Sequence, residues 1–364
     1  MSKLAQDHGA INLSQGFPDF DCPDRLKELV AKYLYDKKNQ YPPMAGIPVL
    51  RQQIANKISS LYQFSADFDT EITVTSGATE AIFDAVQATV GPGDEVIIFD
   101  PAYDSYEPAI LMAGATPVRL QLRLPNYEID FDQLAAAITK NTRLLIINSP
   151  HNPCGTILTL ADLDSLAAAI RDQDIVVLSD EVYEHMVFDG QNHVSVLQHQ
   201  ELSKKCFAVF SFGKTYHATG WKLAYCVANA QLTKEFRKVH QYVTFTSCSF
   251  VQYAIADFMA QCPEHALELS DFYQQKRDTF NRLLKPSRFS FTPSSGTYFQ
   301  LVNYDQISQK SDVDFANELT IEHGVAAIPL SPFYTAPPGT KILRFCFCKD
   351  DATLESAANI LCRL

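Results

Sequence analysis

Between about residues 70 and 228, short apolar, β-prone runs alternate with helical patterns, and this alternation narrows the possible folds more than any other feature. The runs are Ile72–Thr75, Glu95–Phe99, Thr116–Leu122, Arg143–Asn148, Ile175–Leu178, Cys206–Phe210 and Leu223–Val227. Between them lie stretches such as Thr79–Val90 and Leu160–Arg171, the latter with apolar residues three and four apart. A strand that is apolar throughout must be covered on both faces. The expected α/β architecture is therefore a mostly parallel seven-stranded sheet with helices on each side. Gly91-Pro92-Gly93-Asp94 and Pro150-His151-Asn152-Pro153 are loop signals between elements.

The pattern changes after about residue 232. A long helical pattern starts at Thr233, is interrupted by Gln261-Cys262-Pro263-Glu264, and resumes over Leu267–Leu284. A strand over Gly296–Val302, a helix around Asp312–His323, strands Val325–Ile328 and Ile342–Phe347, and a helix over Ala352–Leu364 complete a smaller α+β domain. With 364 residues, 46% of them hydrophobic, the chain can fill two cores. The large domain is placed at 35–250 and the smaller one at 1–34 and 251–364.

A net charge of −12 without a basic run offers no footprint for nucleic acid or an anionic membrane. No apolar stretch approaches the roughly 18 residues of a membrane span, and Met1–His8 lacks the apolar core of a signal peptide. The nine cysteines form no CxxC pair and no Cys/His metal spacing, as expected for reduced, buried thiols in a cytoplasmic protein.

Chemistry concentrates just after the strands, where open parallel sheets bind ligands. Lys214 lies in a tight turn, Ser211-Phe-Gly-Lys-Thr-Tyr-His-Ala-Thr-Gly-Trp-Lys222, and Ser179-Asp180-Glu181-Val182-Tyr183 ends the preceding strand. A lysine able to form a Schiff base, a carboxylate to pair with a pyridinium nitrogen and a phenol for a ring oxygen are what pyridoxal phosphate requires. Asp180 at the tip of an apolar strand needs a partner such as a protonated ring nitrogen. Tyr183 would sit beside the ring oxygen, and Ser211 and Lys222 would serve the phosphate. Gly77, Ala78 and Thr79 open a helix whose free N–H groups suit the same phosphate. Tyr103 could lie on the ring, and Asn152 could donate to the ring oxygen. Taken singly, the Ser-Gly turn is a helix cap, Tyr103 a packing residue and Asn152 a turn former; it is their convergence that points to a cofactor. His217, in the same loop, reads as a local packing or hydrogen-bonding residue.

Together, Asn152-Pro153, Asp180–Tyr183 and Ser211–Lys214 through Gly220-Trp221-Lys222 resemble class I aminotransferases of pyridoxal-phosphate fold type I, over nearly the whole chain. Asn12–Phe20, Gln40–Gly46, Phe99–Tyr106 and Gly324–Leu330 resemble the branch holding bacterial methionine aminotransferases and the kynurenine–glutamine transaminases. The resemblance implies that Arg344 grips the substrate α-carboxylate, with Gly16 as a backbone donor to it. It implies a homodimer in which Tyr41 reaches the neighbour's phosphate and Phe245 lends an aromatic wall. With Phe17 and Tyr103 also aromatic, the expected donors are methionine, aromatic or similar apolar L-amino acids, transferred to a 2-oxo acid by a ping-pong mechanism. A cysteine-S-conjugate β-lyase, or a kynurenine or glutamine transaminase, is the alternative on this scaffold, and a catalytically silent cofactor-binding module is the rival of another class. Relatives usually carry a longer segment before the Asn12–Phe20 motif, and such arms brace dimers.

Overall fold

The computed structural model describes all 364 residues. A short strand β1 (Ile11–Asn12) precedes the main sheet, which comprises β2 (Ile72–Thr75), β3 (Glu95–Asp100), β4 (Thr116–Gln121), β5 (Thr142–Asn148), β6 (Val176–Asp180), β7 (Cys206–Ser211) and β8 (Ala224–Ala228). Their spatial order is β2-β8-β7-β6-β5-β3-β4. Only β8 runs against its neighbours, pairing antiparallel with β2 and β7. The architecture is thus the mostly parallel seven-stranded α/β sheet that the alternating runs predict.

Pleating divides the side chains of each strand between two cores. In β5, Leu144 and Ile146 face one core, while Leu145 and Ile147 face the other. In β7, Phe207 and Val209 oppose Cys206, Ala208 and Phe210 in the same way. The first core continues into the C-terminal elements through Phe345, Leu354 and Leu361. The second is closed by the helices Pro48–Tyr62, Leu160–Ala169 and Ser249–Gln261. A capping box fixes the start of the Leu160 helix, with Thr159 and Asp162 each satisfying the other's backbone N–H.

Beyond the main sheet, β9 (Phe299–Asn303), β10 (Val325–Ala326), β11 (Ile328–Pro329) and β12 (Ile342–Cys346) belong to smaller sheets. The expected single strand Val325–Ile328 divides at Ala327: β10 pairs parallel with β1, and β11 pairs antiparallel with β12. The expected strand from Gly296 starts only at Phe299, because Thr297 takes a left-handed φ of 66°. The chain at Gly296 also runs so close to its neighbours that a Cβ there would lie 2.8 Å from the Met186 carbonyl. The helical region after Thr233 is three main helices, Ala230–Val243, Ser249–Gln261 and Leu269–Leu284. The sequence pattern shows its polar break near Gln261 but misses the earlier one, where Phe245 adopts a φ of 69°.

Register positions the site. Asn148 pairs with Asp180, Asp180 with Val209, and Ser211 with Ala224, which in turn pairs with Thr75. Residues that follow β2, β5, β6 and β7 therefore emerge at one edge of the sheet. The N-terminal stretch reaches that edge along β12, where the Cys346 N–H donates to the Leu13 carbonyl at 2.8 Å.

Candidate active site

A cavity of about 550 Å³ opens at this edge. Gly16, Gly77, Ala78, Thr79, Tyr103, Asn152, Asp180, Tyr183, Ser211, Lys214, Lys222 and Arg344 all line it. Phe17, Tyr41 and Phe245 do not. Phe17 lies outside beneath the Lys349 ammonium, 4.7 Å from its ring centroid. Tyr41 and Phe245 contact each other edge-to-face at 5.7 Å on the exposed surface.

Lys214 sits on a single helical turn, Phe212–Thr215, whose N-terminus is capped by Ser211: its Oγ accepts the Lys214 N–H at 3.3 Å. The ammonium donates to Tyr298 Oη at 2.7 Å and to the Gly16 carbonyl at 3.2 Å. No carboxylate pairs with it directly. Burial therefore dominates and brings its pKa down to about 8. Glycine at position 16 leaves room for the Phe299 ring, since a Cβ there would lie 2.7 Å from it and push it aside.

Asp180 is 3% exposed. Burial lifts its pKa to about 6, although Tyr106 Oη donates to Oδ2 at 2.7 Å and the Val182 N–H to Oδ1 at 3.3 Å. The Tyr183 phenol is pushed above its ordinary range by burial. Its ring packs edge-to-face on Tyr298 at 5.1 Å.

Arg344, in the middle of β12, spans the cavity wall. Nη1 donates to Asn152 Oδ1 at 2.6 Å and Nη2 to the Ser14 carbonyl at 3.4 Å. Its guanidinium lies 3.9 Å over the Phe299 ring and 5.3 Å from that of Phe333. Burial lowers its pKa, and its Nε is buried without a hydrogen-bond partner. A buried, planar cation with donors left over suits a carboxylate.

On the opposite wall, Gly77 takes φ 88° at the start of the helix Ala78–Thr89. A Cβ at Gly77 would come within 3.1 Å of Lys222 Cε, so glycine lets the lysine lie across the helix entrance. The first-turn N–H groups have no helical acceptors, and together with the Lys222 ammonium they form an anion cradle.

Tyr106, Tyr298, Phe299 and Phe333 are the residues here for which sequence reasoning gave no role. Tyr106 closes the Phe99–Tyr106 motif, so its position was marked but its contact with Asp180 was not. Tyr298 and Phe299 lie in a run that looks like an ordinary core strand, and no sequence signal separates them from packing residues. His217 accepts no cavity role; its Nδ1 lies 3.0 Å from Tyr273 Oη.

The donor set fits pyridoxal phosphate at each end: an anion cradle at Gly77 and Lys222, a buried carboxylate for the ring nitrogen, and a partly buried lysine in the same cavity. A parallel α/β sheet carrying this set at its carboxyl edge defines a pyridoxal-phosphate enzyme. Comparison with known proteins gives the family. The aminotransferase class I and II family matches residues 8–361. Methionine aminotransferase of Escherichia coli (strain K12) is 51% identical over 364 residues, covering 100% of this chain and 94% of that protein. Kynurenine–oxoglutarate transaminase 1 of Mus musculus is 31% identical, covering 99% of this chain and 93% of its own length. A solved structure of an Escherichia coli methionine aminotransferase superposes with a TM-score of 0.98 at 51% identity, covering 100% of this chain and 95% of that one. The chain belongs to the class I and II aminotransferase family, and it is a pyridoxal-phosphate-dependent aminotransferase.

Proposed function

We propose that this aminotransferase moves the amino group of methionine, aromatic and similar apolar L-amino acids to a 2-oxo acid. The observation that carries the substrate class is the distribution of charge in the cavity. Its cationic side chains are Lys214, Lys222 and Arg344, and of these only Arg344 is left for a substrate carboxylate. The remaining wall includes Ile328, Pro329, Pro332, Phe299 and Phe333, with Asp104 as a further acid. A donor with a second carboxylate would meet Asp104 and no unassigned cationic side chain, whereas a thioether or aromatic side chain meets rings. The relatives named as methionine and kynurenine transaminases support the same substrate class.

Bound pyridoxal phosphate supplies a carbonyl that exchanges amino groups and a ring that draws electrons from the substrate Cα. In our assignment the chain's residues do the rest. Gly77, Ala78, Thr79, Ser211 and Lys222 hold the phosphate, with Tyr41 of a second copy. Asp180 holds the ring nitrogen as its charged partner, Tyr183 and Asn152 face the ring oxygen, and Tyr103 covers the ring. Arg344, with Gly16, orients the α-carboxylate so that Cα–H points to Lys214. Lys214 Nζ binds the cofactor and then moves the proton away from Cα; burial favours the neutral amine this requires. Phe17 and Phe245 complete the side-chain pocket when two copies associate.

The active unit in this proposal is a homodimer with shared sites, supported by the exposed Tyr41–Phe245 pair. A cytoplasmic location is supported by nine free cysteines, and no helix is long and apolar enough to cross a membrane. The domain division at 35–250 remains our assignment.

The test is kcat/KM for methionine, phenylalanine and aspartate, with 4-methylthio-2-oxobutanoate, pyruvate and 2-oxoglutarate as acceptors. Methionine and phenylalanine should exceed aspartate with every acceptor. A preference for aspartate would overturn the substrate class and leave the reaction class standing.

A further inference from the structure

His240 is fully buried on the helix Ala230–Val243, away from the cavity, and the chemistry assigned above does not use it. Its Nδ1 lies 2.7 Å from Glu80 Oε1 and 3.5 Å from Asp84 Oδ2, and its Nε2 donates to the Met44 carbonyl at 3.0 Å. Burial opposes a charge on the ring, but the neighbouring Asp84 carboxylate and the hydrogen bond to Glu80 outweigh it and hold the pKa at about 9. The imidazolium therefore donates from both nitrogens, which fixes the ring between two parts of the chain.

The contacts continue in both directions. The other oxygen of Glu80 accepts the Ser76 N–H, immediately before the anion cradle. Ser76 Oγ is 2.9 Å from Ser247 Oγ. The Ser247 carbonyl accepts from Gln252 Nε2 at 2.9 Å, and Gln252 Oε1 accepts the Ile47 N–H at 2.9 Å. Ile47 is three residues beyond Met44, so the hydrogen bonds close a circuit. A further bond, from the Phe245 N–H to the His240 carbonyl at 2.9 Å, ties in the start of the 245–247 segment. Three segments meet on this circuit: the one bearing Tyr41, the one bearing Gly77–Thr79 and the one bearing Phe245.

We propose that His240 is a positioning residue that clamps the cofactor-phosphate cradle at Ser76–Thr79 to the two segments presenting Tyr41 and Phe245. This rests on the cofactor assignment made above. Glu80, turned back onto Ser76 by His240, sets the angle at which the N–H groups of Gly77, Ala78 and Thr79 face the phosphate. The same imidazolium, through Met44, sets the loop that carries Tyr41. Cofactor affinity and the geometry offered to a second copy are thus adjusted by one buried group.

The test is a titration of the cofactor-free, full-length chain with pyridoxal phosphate, followed through the fluorescence of Trp221, the single tryptophan, beside Lys222. His240→Leu and Ser247→Ala should each raise Kd about tenfold. The double variant should bind no more weakly than the weaker single one, because both cut the same circuit. A Kd within twofold of wild type for either single variant, or losses that multiply in the double variant, would overturn the proposal. Should His240→Leu fail to fold, Gln252→Leu paired with Ser247→Ala interrogates the circuit with His240 intact. Lys222→Ala and Ser211→Ala in the same titration separate the two levels. If they bind like wild type, the cradle assignment itself fails. If they weaken binding while the circuit variants do not, only the role of His240 fails.

Discussion

Two regions of this molecule carry proposed site residues, and they differ in how those residues are satisfied. In the cavity, Asp180 and Arg344 are buried and Lys214 is partly buried, and each makes hydrogen bonds within its own chain. At the surface, Tyr41 is 86% exposed and Phe245 39% exposed, and they contact one another. A buried charge requires partners in the same fold, so the cavity is built by a single chain. An exposed aromatic pair gains most of its burial energy only when something covers it. The difference separates chemistry that one chain can assemble from a contribution that only a second copy could complete.

The comparison breaks most decisively at Lys214. Lys214→Ala removes both the covalent anchor and the proton carrier, so kcat should fall by at least about 10⁴-fold, the upper range for a general base. Borohydride reduction of wild type followed by peptide mapping should label Lys214; a label on Lys222 would reassign the anchor. The pH dependence has a definite sign. Burial lowers the Lys214 pKa to about 8, so in the cofactor-free protein the neutral, nucleophilic amine grows as pH rises through 8. The rate of borohydride-trappable cofactor attachment should therefore increase over pH 7–9 and level off above. A rise centred near 10.5 would mean that the amine is solvated.

Next in size is Arg344→Ala. Breaking a buried ion pair costs on the order of 3–5 kcal/mol, roughly 150- to 5,000-fold in kcat/KM. The loss should fall on every amino acid and 2-oxo acid alike, and amines without a carboxylate should be nearly unaffected. Equal losses for both classes would indicate a folding defect.

The surface region is tested by mixing inactive chains. Lys214→Ala chains and Tyr41→Ala chains, exchanged into hybrids, should regain about half-site activity, because one site then collects an intact lysine and an intact tyrosine. No recovery after verified exchange would show that Tyr41 serves its own chain or no site, and the two regions would then be independent.

The main sheet was legible because its central strands are largely apolar and several of its elements are separated by Gly/Pro loops. Asp180, Lys214 and Ser211 were then legible because cofactor-binding residue types converge just after the strands. Less legible was whatever depends on contacts distant in sequence. Tyr298 is 84 residues from the lysine it bonds, and Gly16 is 198 away. The division of Val325–Ile328 between two sheets was hidden as well, since four apolar residues carry no sign of a change of partner. Residues 1–70 offered motifs but little strand–helix alternation, and only the structure shows how Leu13–Gly16 reaches the cavity beside β12.

The smallest expected effects concern the support beneath Asp180. Asp180→Asn should lower kcat at least about tenfold, roughly 1.4 kcal/mol, while leaving KM less changed, because the charge opposite the ring nitrogen matters most in the transition state. Tyr106→Phe is gentler. It deletes one buried hydrogen bond, 2.7 Å long, and leaves the carboxylate in place. A net loss of about 0.5–1.5 kcal/mol corresponds to roughly a 2- to 10-fold fall in kcat. Its diagnostic lies in the acid limb of the pH profile. The Tyr106 hydrogen bond favours the charged carboxylate, opposing the burial that raises the Asp180 pKa to about 6 in the cofactor-free chain. Without it that pKa moves up, so activity should begin to fail at a higher pH in Tyr106→Phe than in wild type. A limb that stays in place, or moves to lower pH, would show that Asp180 is not the group titrating there and would remove Tyr106 from the site.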